Sequence, residues 1–381
     1  MKPCIYSHSR PIKDVAFNST NEIIYTASND RTVISWFVSN YTKISTFSHS
    51  AAVNSIKLTS DDKYLISGDS TSVIYVWDTK GVYTISKLEN DPMFSIKNID
   101  LNYNEEYLLV TYAGRFKGAK SFIDIYSLSE LVEIVEPKNN TKLYGTDSIY
   151  SDGFLFNNNG TGSISGNGNS IFSLFTTKPP CNNLSSETYF PTKQFDCSES
   201  KFSKAIFTEL NNCILVIKED GTLSLINFKT GKAISESKIH DDVILNLDYS
   251  KQFKLVFTAS QDGTACLVNF DTFEIILKLN PENPTRRLNT CRMVYSNEAN
   301  CLIGVLAGGQ DNRLVTTTNQ KEGGFDILLY NLDNGSMINS IDLHFGPVNV
   351  VAISNDGKII GSGSEDASVK LSLIEEKLKI T

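Results

Sequence analysis

The feature of this chain that most limits its fold is a short apolar run, entered from a polar turn, that recurs seven times. The runs begin at Ile23 (I-I-Y-T-A-S), Tyr64 (Y-L-I-S-G), Tyr107 (Y-L-L-V-T-Y), Cys213 (C-I-L-V-I), Leu255 (L-V-F-T-A-S), Cys301 (C-L-I-G-V-L) and Ile359 (I-I-G-S-G-S). Successive starts lie 41, 43, 106, 42, 46 and 58 residues apart. Five intervals are one period of about 42, the last of them with roughly 16 residues added; the interval of 106 is one period plus roughly 64. A fixed period overrides the two or three ordinary domains that 381 residues would otherwise suggest.

The unit is clearest in its last copy, His344 to Leu373. Val348, Val350 and Ala352 alternate along a first strand, and Asn355-Asp356-Gly357-Lys358 turns the chain. A second strand runs from Ile359 to Ser364, Glu365-Asp366 turns again, and a third strand follows from Val369 to Leu373. Period-2 alternation with Asn, Asp and Gly turns argues for an all-β chain. A four-stranded unit at this period is the signature of a β-propeller blade. Seven units predict a seven-bladed ring, or eight if the long interval hides a degenerate blade.

The expected blades are 8–44, 49–88, 94–136 with 187–196 as outer strand, 200–237, 240–279, 286–341, and 344–374 completed by 2–7. The extended N-terminal piece should pair beside the last third strand and remove two exposed sheet edges. Residues 137–197 are rich in Asn, Gly, Ser and Thr (F-N-N-N-G-T-G-S-I-S-G-N-G-N-S) and read as a low-complexity insertion. Only Ser170 to Phe175 looks like a strand there.

The chain holds four histidines, and each opens the same interval of 22 residues: His8 to Asp30, His49 to Thr71, His240 to Asp262, His344 to Asp366. All four therefore have an architectural place, which leaves none for general-base or metal duty. With 43 acids against 35 bases the formal charge is −8, which argues against a dedicated nucleic-acid binder. The one compact basic cluster, Arg286, Arg287 and Arg292, reads as a solvated loop. The seven cysteines never fall as C-x-x-C and read as small buried hydrophobes rather than a zinc site or a disulfide frame. No phosphate-loop, metalloprotease or nucleophile-elbow motif is present, and the paired acids Asp61-Asp62 and Asp241-Asp242 sit in turns. No catalytic residue, metal or cofactor is expected. The opening M-K-P-C-I-Y-S-H-S has no apolar run of signal-peptide length and no stretch approaches a membrane span, so the expectation is a cytoplasmic protein.

A histidine, an Asp 22 residues on and an aromatic six later resembles the WD-repeat family; Trp77-Asp78 is the dipeptide itself. In that family the histidine, a Ser or Thr of the second strand, the Asp and the Trp bond across the blade. The resemblance implies His8, Ser28 (or Thr26), Asp30 and Trp36 in the first unit, and His49 and Trp77 in the second, where Thr71 replaces Asp. It implies His240, Ser260 and Asp262 in the fifth, and His344, Ser364 and Asp366 in the last, with Val268 and Ser372 where Trp belongs. The third, fourth and sixth units lack the histidine and should be held mainly by apolar packing.

Two stretches are more specific, A-G-G-Q-D-N-R-L-V-T-T-T-N-Q-K-E-G-G-F-D from Ala307 and H-F-G-P-V-N-V-V-A-I-S-N-D-G-K from His344. With the opening Met1-Lys2-Pro3 they resemble the family of i subunits of eukaryotic translation initiation factor 3, which lacks the 137–197 insertion. That resemblance implies a non-enzymatic scaffold in a cytoplasmic complex that binds the small ribosomal subunit and helps recruit mRNA and initiator tRNA. It implies the b subunit, through a helical C-terminal segment, and the g subunit as partners, with no direct nucleic-acid contact. Partner-binding candidates are Gly308, Gly309, Gln310, Thr316, Thr317, Thr318 and Phe345. The alternative is another WD-repeat adaptor, a receptor-kinase-associated scaffold or a ubiquitin-ligase substrate receptor.

Overall fold

Second strands of the units run almost without a solvent-facing residue: Ile23–Ser28, Tyr64–Asp69, Leu255–Ser260 and Ile359–Ser364 are each buried from their second residue onward. A strand covered on both faces must be apolar or small throughout, which is why these runs dominate the sequence. In the computed structural model, which describes residues 4–6, 8–116, 120–132, 172–173, 191–196, 201–208, 212–281, 286–296, 300–310 and 324–374, they are sandwiched between neighbouring sheets.

Seven antiparallel sheets form the blades. From the innermost strand outward, blade 1 is Ile12–Phe17, Ile23–Ser28, Thr32–Phe37 and Lys43–Ser48, and blade 2 is Val53–Leu58, Tyr64–Asp69, Val73–Asp78 and Thr84–Glu89. Blade 3 is Phe94–Leu101, Tyr107–Gly114, Ser121–Ser127 and Lys193–Asp196, with Phe172–Ser173 paired outside as a fifth strand. Blades 4 to 6 follow the same order, with innermost strands Phe202–Phe207, Ile244–Ser250 and Arg287–Ser296. Blade 7 takes Val348–Ile353, Ile359–Ser364 and Ser368–Leu373 from the C-terminal end and Cys4–Tyr6 from the N-terminal end, with Cys4 opposite Lys370. The innermost strand of blade 7 packs on that of blade 1, so the seven blades close into a ring.

Each seam between adjacent blades holds one apolar cluster. Trp36, Ile24 and Ile12 meet Val350 and Leu371 between blades 1 and 7, and Phe47 and Tyr25 meet Trp77 between blades 1 and 2. The core is thus divided into seven spokes.

Every innermost strand carries a bulge at the same place, where Lys13, Asn54, Lys97, Ser203, Leu245, Asn289 and Asn349 skip a partner. An extra residue bends and twists the strand where it approaches the central channel. The residue just after the bulge then reaches across the seam. Asp14 accepts from Ile56 N–H at 2.9 Å, Ser55 Oγ from Ile99 N–H at 3.2 Å, and Thr290 Oγ1 from Val351 N–H at 3.2 Å. Asn98 donates to the Ala205 carbonyl at 2.7 Å, Lys204 to Asn246 Oδ1 at 2.8 Å, and Asn246 to Thr290 Oγ1 at 3.2 Å. At the seventh seam that position is Val350, and the bulge residue Asn349 substitutes by donating to the Ile12 carbonyl at 2.8 Å.

The basic cluster differs from its sequence reading. Arg286 is buried and paired with Asp326 at 3.1 Å, and Arg292 lies on the innermost strand beside the channel. Adjacent strand residues point to opposite faces, so sequence proximity does not make one solvated patch.

Candidate interaction face

The loop leading into each innermost strand and the turn joining the second and third strands meet at one rim of the ring, called upper here. His8 lies in the first loop and Asp30 in the turn. His8 Nδ1 is 2.8 Å from Asp30 Oδ2, and Nε2 is 2.8 Å from Thr26 Oγ1. Trp36 Nε1 donates to the same Thr26 oxygen at 3.0 Å. A carboxylate only accepts, so Nδ1 carries the hydrogen; in the neutral ring Thr26 donates to Nε2 and accepts from Trp36. Burial alone would raise the Asp30 carboxyl, but the hydrogen bonds from His8 and Thr32 outweigh it and hold it well below the usual carboxylate range.

Blade 5 repeats the arrangement with His240, Asp262 (3.2 Å) and Thr258 (2.8 Å). Blade 7 repeats it with His344, Asp366 (3.0 Å) and Ser362 (2.7 Å). The Asp262 and Asp366 carboxyls are likewise lowered: burial opposes the shift, and their histidines lead the groups that produce it.

The serines expected in this role, Ser28, Ser260 and Ser364, are not the hydroxyls that the histidines reach. They lie two residues nearer the turn, on the same face of the strand, and act as a second fastener. Their hydroxyls donate to the lead-in loop at the carbonyls of Arg10 (2.9 Å), Val243 (3.0 Å) and Pro347 (2.9 Å). Each also accepts the N–H of its own Asp, Asp30, Asp262 or Asp366.

Blade 2 departs in an instructive way. His49 Nε2 and Trp77 Nε1 both meet Ser67 Oγ, at 2.7 and 2.9 Å. Thr71 does not leave the turn uncapped, because Asp69, in the position of Ser28, accepts from Thr71 N–H, Thr71 Oγ1 and Val73 N–H. His49 Nδ1 turns to the Phe47 carbonyl at 3.2 Å instead.

Blades 3 and 6 are not held by apolar packing alone. Asn90 occupies the place of His49: its N–H bonds Ser72 O as His49 N–H bonds Arg31 O. Its amide donates to Tyr112 Oη at 2.6 Å and Tyr126 Oη at 3.0 Å, and Tyr126 donates to Asp124. In blade 6 the Arg286–Asp326 ion pair joins loop to turn. Both networks were unreadable from the histidine spacing because no histidine takes part.

The structure brings the two specific sequence stretches together on the upper rim. Gly309 has φ 142°, and a Cβ there would lie 2.6 Å from the Phe325 ring and 3.1 Å from Pro347 Cα. A side chain would strain the backbone and part this seam between blades 6 and 7, so glycine is required. Gly308 precedes it at the end of the strand Cys301–Gly309, and Gln310, the next residue, is buried. Phe345 stands out from the rim at 67% exposure, fixed through its N–H to Asp366 (3.1 Å) and with the Lys370 ammonium 5.4 Å from its ring centre. Thr316, Thr317 and Thr318 lie outside the described residues.

Among the described residues no three His, Cys, Asp or Glu side chains are grouped to hold a metal ion, and no helix is long and apolar enough to cross a membrane. Burial pushes the Cys266 thiol up to about 12 and the Cys291 thiol higher, which makes both poor nucleophiles. At the lower mouth of the channel a cavity of about 510 Å³ is lined by Phe17, Asp248, Arg292, Tyr295 and Ile353, and by Ser354, whose hydroxyl donates to Asp356 in the turn at 2.5 Å.

The family model for the WD domain, G-beta repeat, matches residues 2–36, 41–78 and 335–371. Subunit I of eukaryotic translation initiation factor 3 from Homo sapiens is 23% identical over 373 residues, covering 97% of this chain and 96% of the relative. The Bos taurus protein of that name is 24% identical over the same span and coverage. That of Kluyveromyces lactis is 26% identical over 376 residues, covering 97% and 91%. The chain is a seven-bladed WD-repeat β-propeller, homologous along nearly its whole length to subunit I of eukaryotic translation initiation factor 3.

Proposed function

We propose that this chain is a non-catalytic scaffold subunit of a cytoplasmic eukaryotic translation initiation factor 3 complex. In that role it binds the b and g subunits and supports recruitment of mRNA and initiator tRNA to the small ribosomal subunit, without touching nucleic acid itself. The observation that carries the reading is likeness over 97% of the chain to proteins of that complex. The rim supports it: Gly309 against Pro347, with Phe345 exposed beside them, offers a rigid aromatic anchor of the kind that dominates partner interfaces.

Purification of the tagged chain from its own cells under native conditions, followed by mass spectrometry, tests this directly. Other subunits of the initiation factor and small-subunit ribosomal proteins are the expected companions. Recovery of kinase-receptor or ubiquitin-ligase subunits in their place would replace the reading with the other adaptor class. Phe345→Ala should leave the melting temperature unchanged and lower partner recovery several-fold, since the ring is two-thirds exposed and carries no seam.

A further inference from the structure

The upper rim is not uniform in charge. Over blades 4 and 5, Glu219, Asp220, Asp241 and Asp242 are all exposed. The turn and the loop that carry them touch, because the N–H groups of Ile239 and His240 both bond the Gly221 carbonyl. Over blades 1 to 3 the sign reverses. Arg31, Lys97, Arg115 and Lys120 are exposed there, and none forms an ion pair with a described carboxylate. In a chain of net charge −8, four cations on neighbouring loops without a partner among the described carboxylates are a distinct sector.

These side chains sit on one continuous surface. Arg31 ends the blade 1 turn, and its carbonyl is bonded by the N–H of His49 in the blade 2 loop. Arg115 reaches back from blade 3 to the carbonyl of Ser70 in the blade 2 turn. Its own N–H bonds the Met93 carbonyl at 3.0 Å, and Lys120 O accepts from Gly114 N–H at 3.0 Å. Lys97 is the bulge residue of blade 3, at the lip of the channel. Between these cations stand Met93 and Phe116, exposed by 55% and 62%. Of the nearby acids, Glu89 pairs with Lys87 at 2.5 Å, while exposed Asp91, which accepts from Met93 N–H at 2.9 Å, offsets one of the four positive charges.

We infer that this sector is a docking site for a short acidic peptide segment of a partner protein, whose one or two large apolar side chains seat on Met93 and Phe116. Two exposed apolar side chains among cations that form no ion pair with a described carboxylate give such a segment both an anchor and a charge match. A methionine beside an aromatic ring adapts to differently shaped apolar residues. A nucleic-acid strand fits less well. It needs phosphate neutralisation along its length, and the same rim turns acidic within two blades, where a polyanion is repelled. A peptide confines its negative charge to a few residues. The site lies away from the Gly309–Phe345 seam, and its test does not depend on membership of the initiation complex.

Fluorescence anisotropy on the full chain reads this out. The probe is a labelled peptide of about 12 residues with Asp and Glu around a central Leu-Phe pair, compared with its Asn/Gln counterpart and a uridylate oligonucleotide of about equal length. The acidic peptide should bind saturably, with affinity falling as salt rises, and the neutral counterpart should bind at least about tenfold more weakly. Lys97→Glu with Lys120→Glu should weaken binding about tenfold, and Phe116→Ser about fivefold. Asp241→Asn with Asp242→Asn should change it little. Absence of saturable binding to the wild-type chain overturns the inference, as do unchanged affinities in both the charge and the Phe116 variants. An oligonucleotide that displaces the peptide at equal or lower concentration would assign the sector to nucleic acid instead. If a variant melts below the wild type, the comparison of the three probes on the wild-type chain decides.

Discussion

Thr26 and Ser28 lie on the same face of one strand, yet their hydroxyls do different work, and stability should register the difference. Thr26→Val removes the oxygen shared by His8 and Trp36 and leaves two buried polar groups short of a partner, a loss of about 2–3 kcal/mol. Ser28→Ala removes a loop fastener whose partners stay close to water, a loss of about 1 kcal/mol. Urea denaturation of both variants checks the order; equal losses would contradict it. The histidine-to-Asp spacing was legible in the sequence because it is fixed by one loop and one turn. The hydroxyl was not, since period-2 alternation gives residues 26 and 28 the same face and spacing cannot choose between them. Asp69 was missed for a related reason: the carboxylate moved two residues up the strand while its hydrogen-bond duty stayed at the turn.

His49 makes the fold sensitive to acid in a predictable direction. Burial pushes its imidazole down to about 4, against the opposing pull of the Phe47 carbonyl and Asp69. An unfolded histidine titrates near 6.5, so between about 6.5 and 4 the unfolded chain binds more protons than the folded one. Stability from this group is complete above about pH 6.5 and is lost as pH falls toward 4, by about 3 kcal/mol at most. The lowered Asp30, Asp262 and Asp366 carboxyls add a second loss that begins as pH falls through the ordinary carboxylate range near 4. Denaturation midpoints measured from pH 7 to 4.5 should fall in the wild type and fall less in His49→Gln. A parallel decline in the two would assign the acid sensitivity elsewhere.

At the scale of the element, the blades show how one geometric duty is met by different chemistry. In six of the blades, side chains fasten the lead-in loop to the second and third strands or to the turn between them. Blades 1, 5 and 7 use His and Asp, blade 2 uses Ser50 and Asp69, blade 3 uses Asn90 with two tyrosines, and blade 6 uses an ion pair. The strands and their order could be read from periodicity, because alternation and turn chemistry act locally. The substitutes could not, because their members are distant in sequence and share no residue type. Arg286→Met should cost about 2 kcal/mol, since it removes the buried guanidinium that bonds both the carboxylate and the carbonyl of Asp326. If thermal melting shows a loss no larger than that of an exposed arginine, the pair is not what ties blade 6.

At the scale of the molecule, the ring has seven apolar spokes and a closure made by three residues. Cys4–Tyr6 covers the edge of Ser368–Leu373, and the last seam depends on Asn349 and on the Lys13–Glu365 pair at 2.9 Å. Deleting residues 1–7 should lower the melting temperature of the entire protein in one transition. A truncated chain that melts at the wild-type temperature would show that the seventh blade closes without them.

That closure has a consequence for how the protein is made. Cys4–Tyr6 is synthesised about 360 residues ahead of the strand it pairs with, Ser368–Leu373. At ordinary elongation rates of roughly 5–20 residues per second, the two are separated by on the order of half a minute. Through that interval the blades are completed one after another, and the outer flanks of blade 1 and of the newest blade both stay uncovered. The finished ring therefore appears late and at one moment, when Ser368–Leu373 slides between Ile359–Ser364, just made, and the much earlier Cys4–Tyr6 segment.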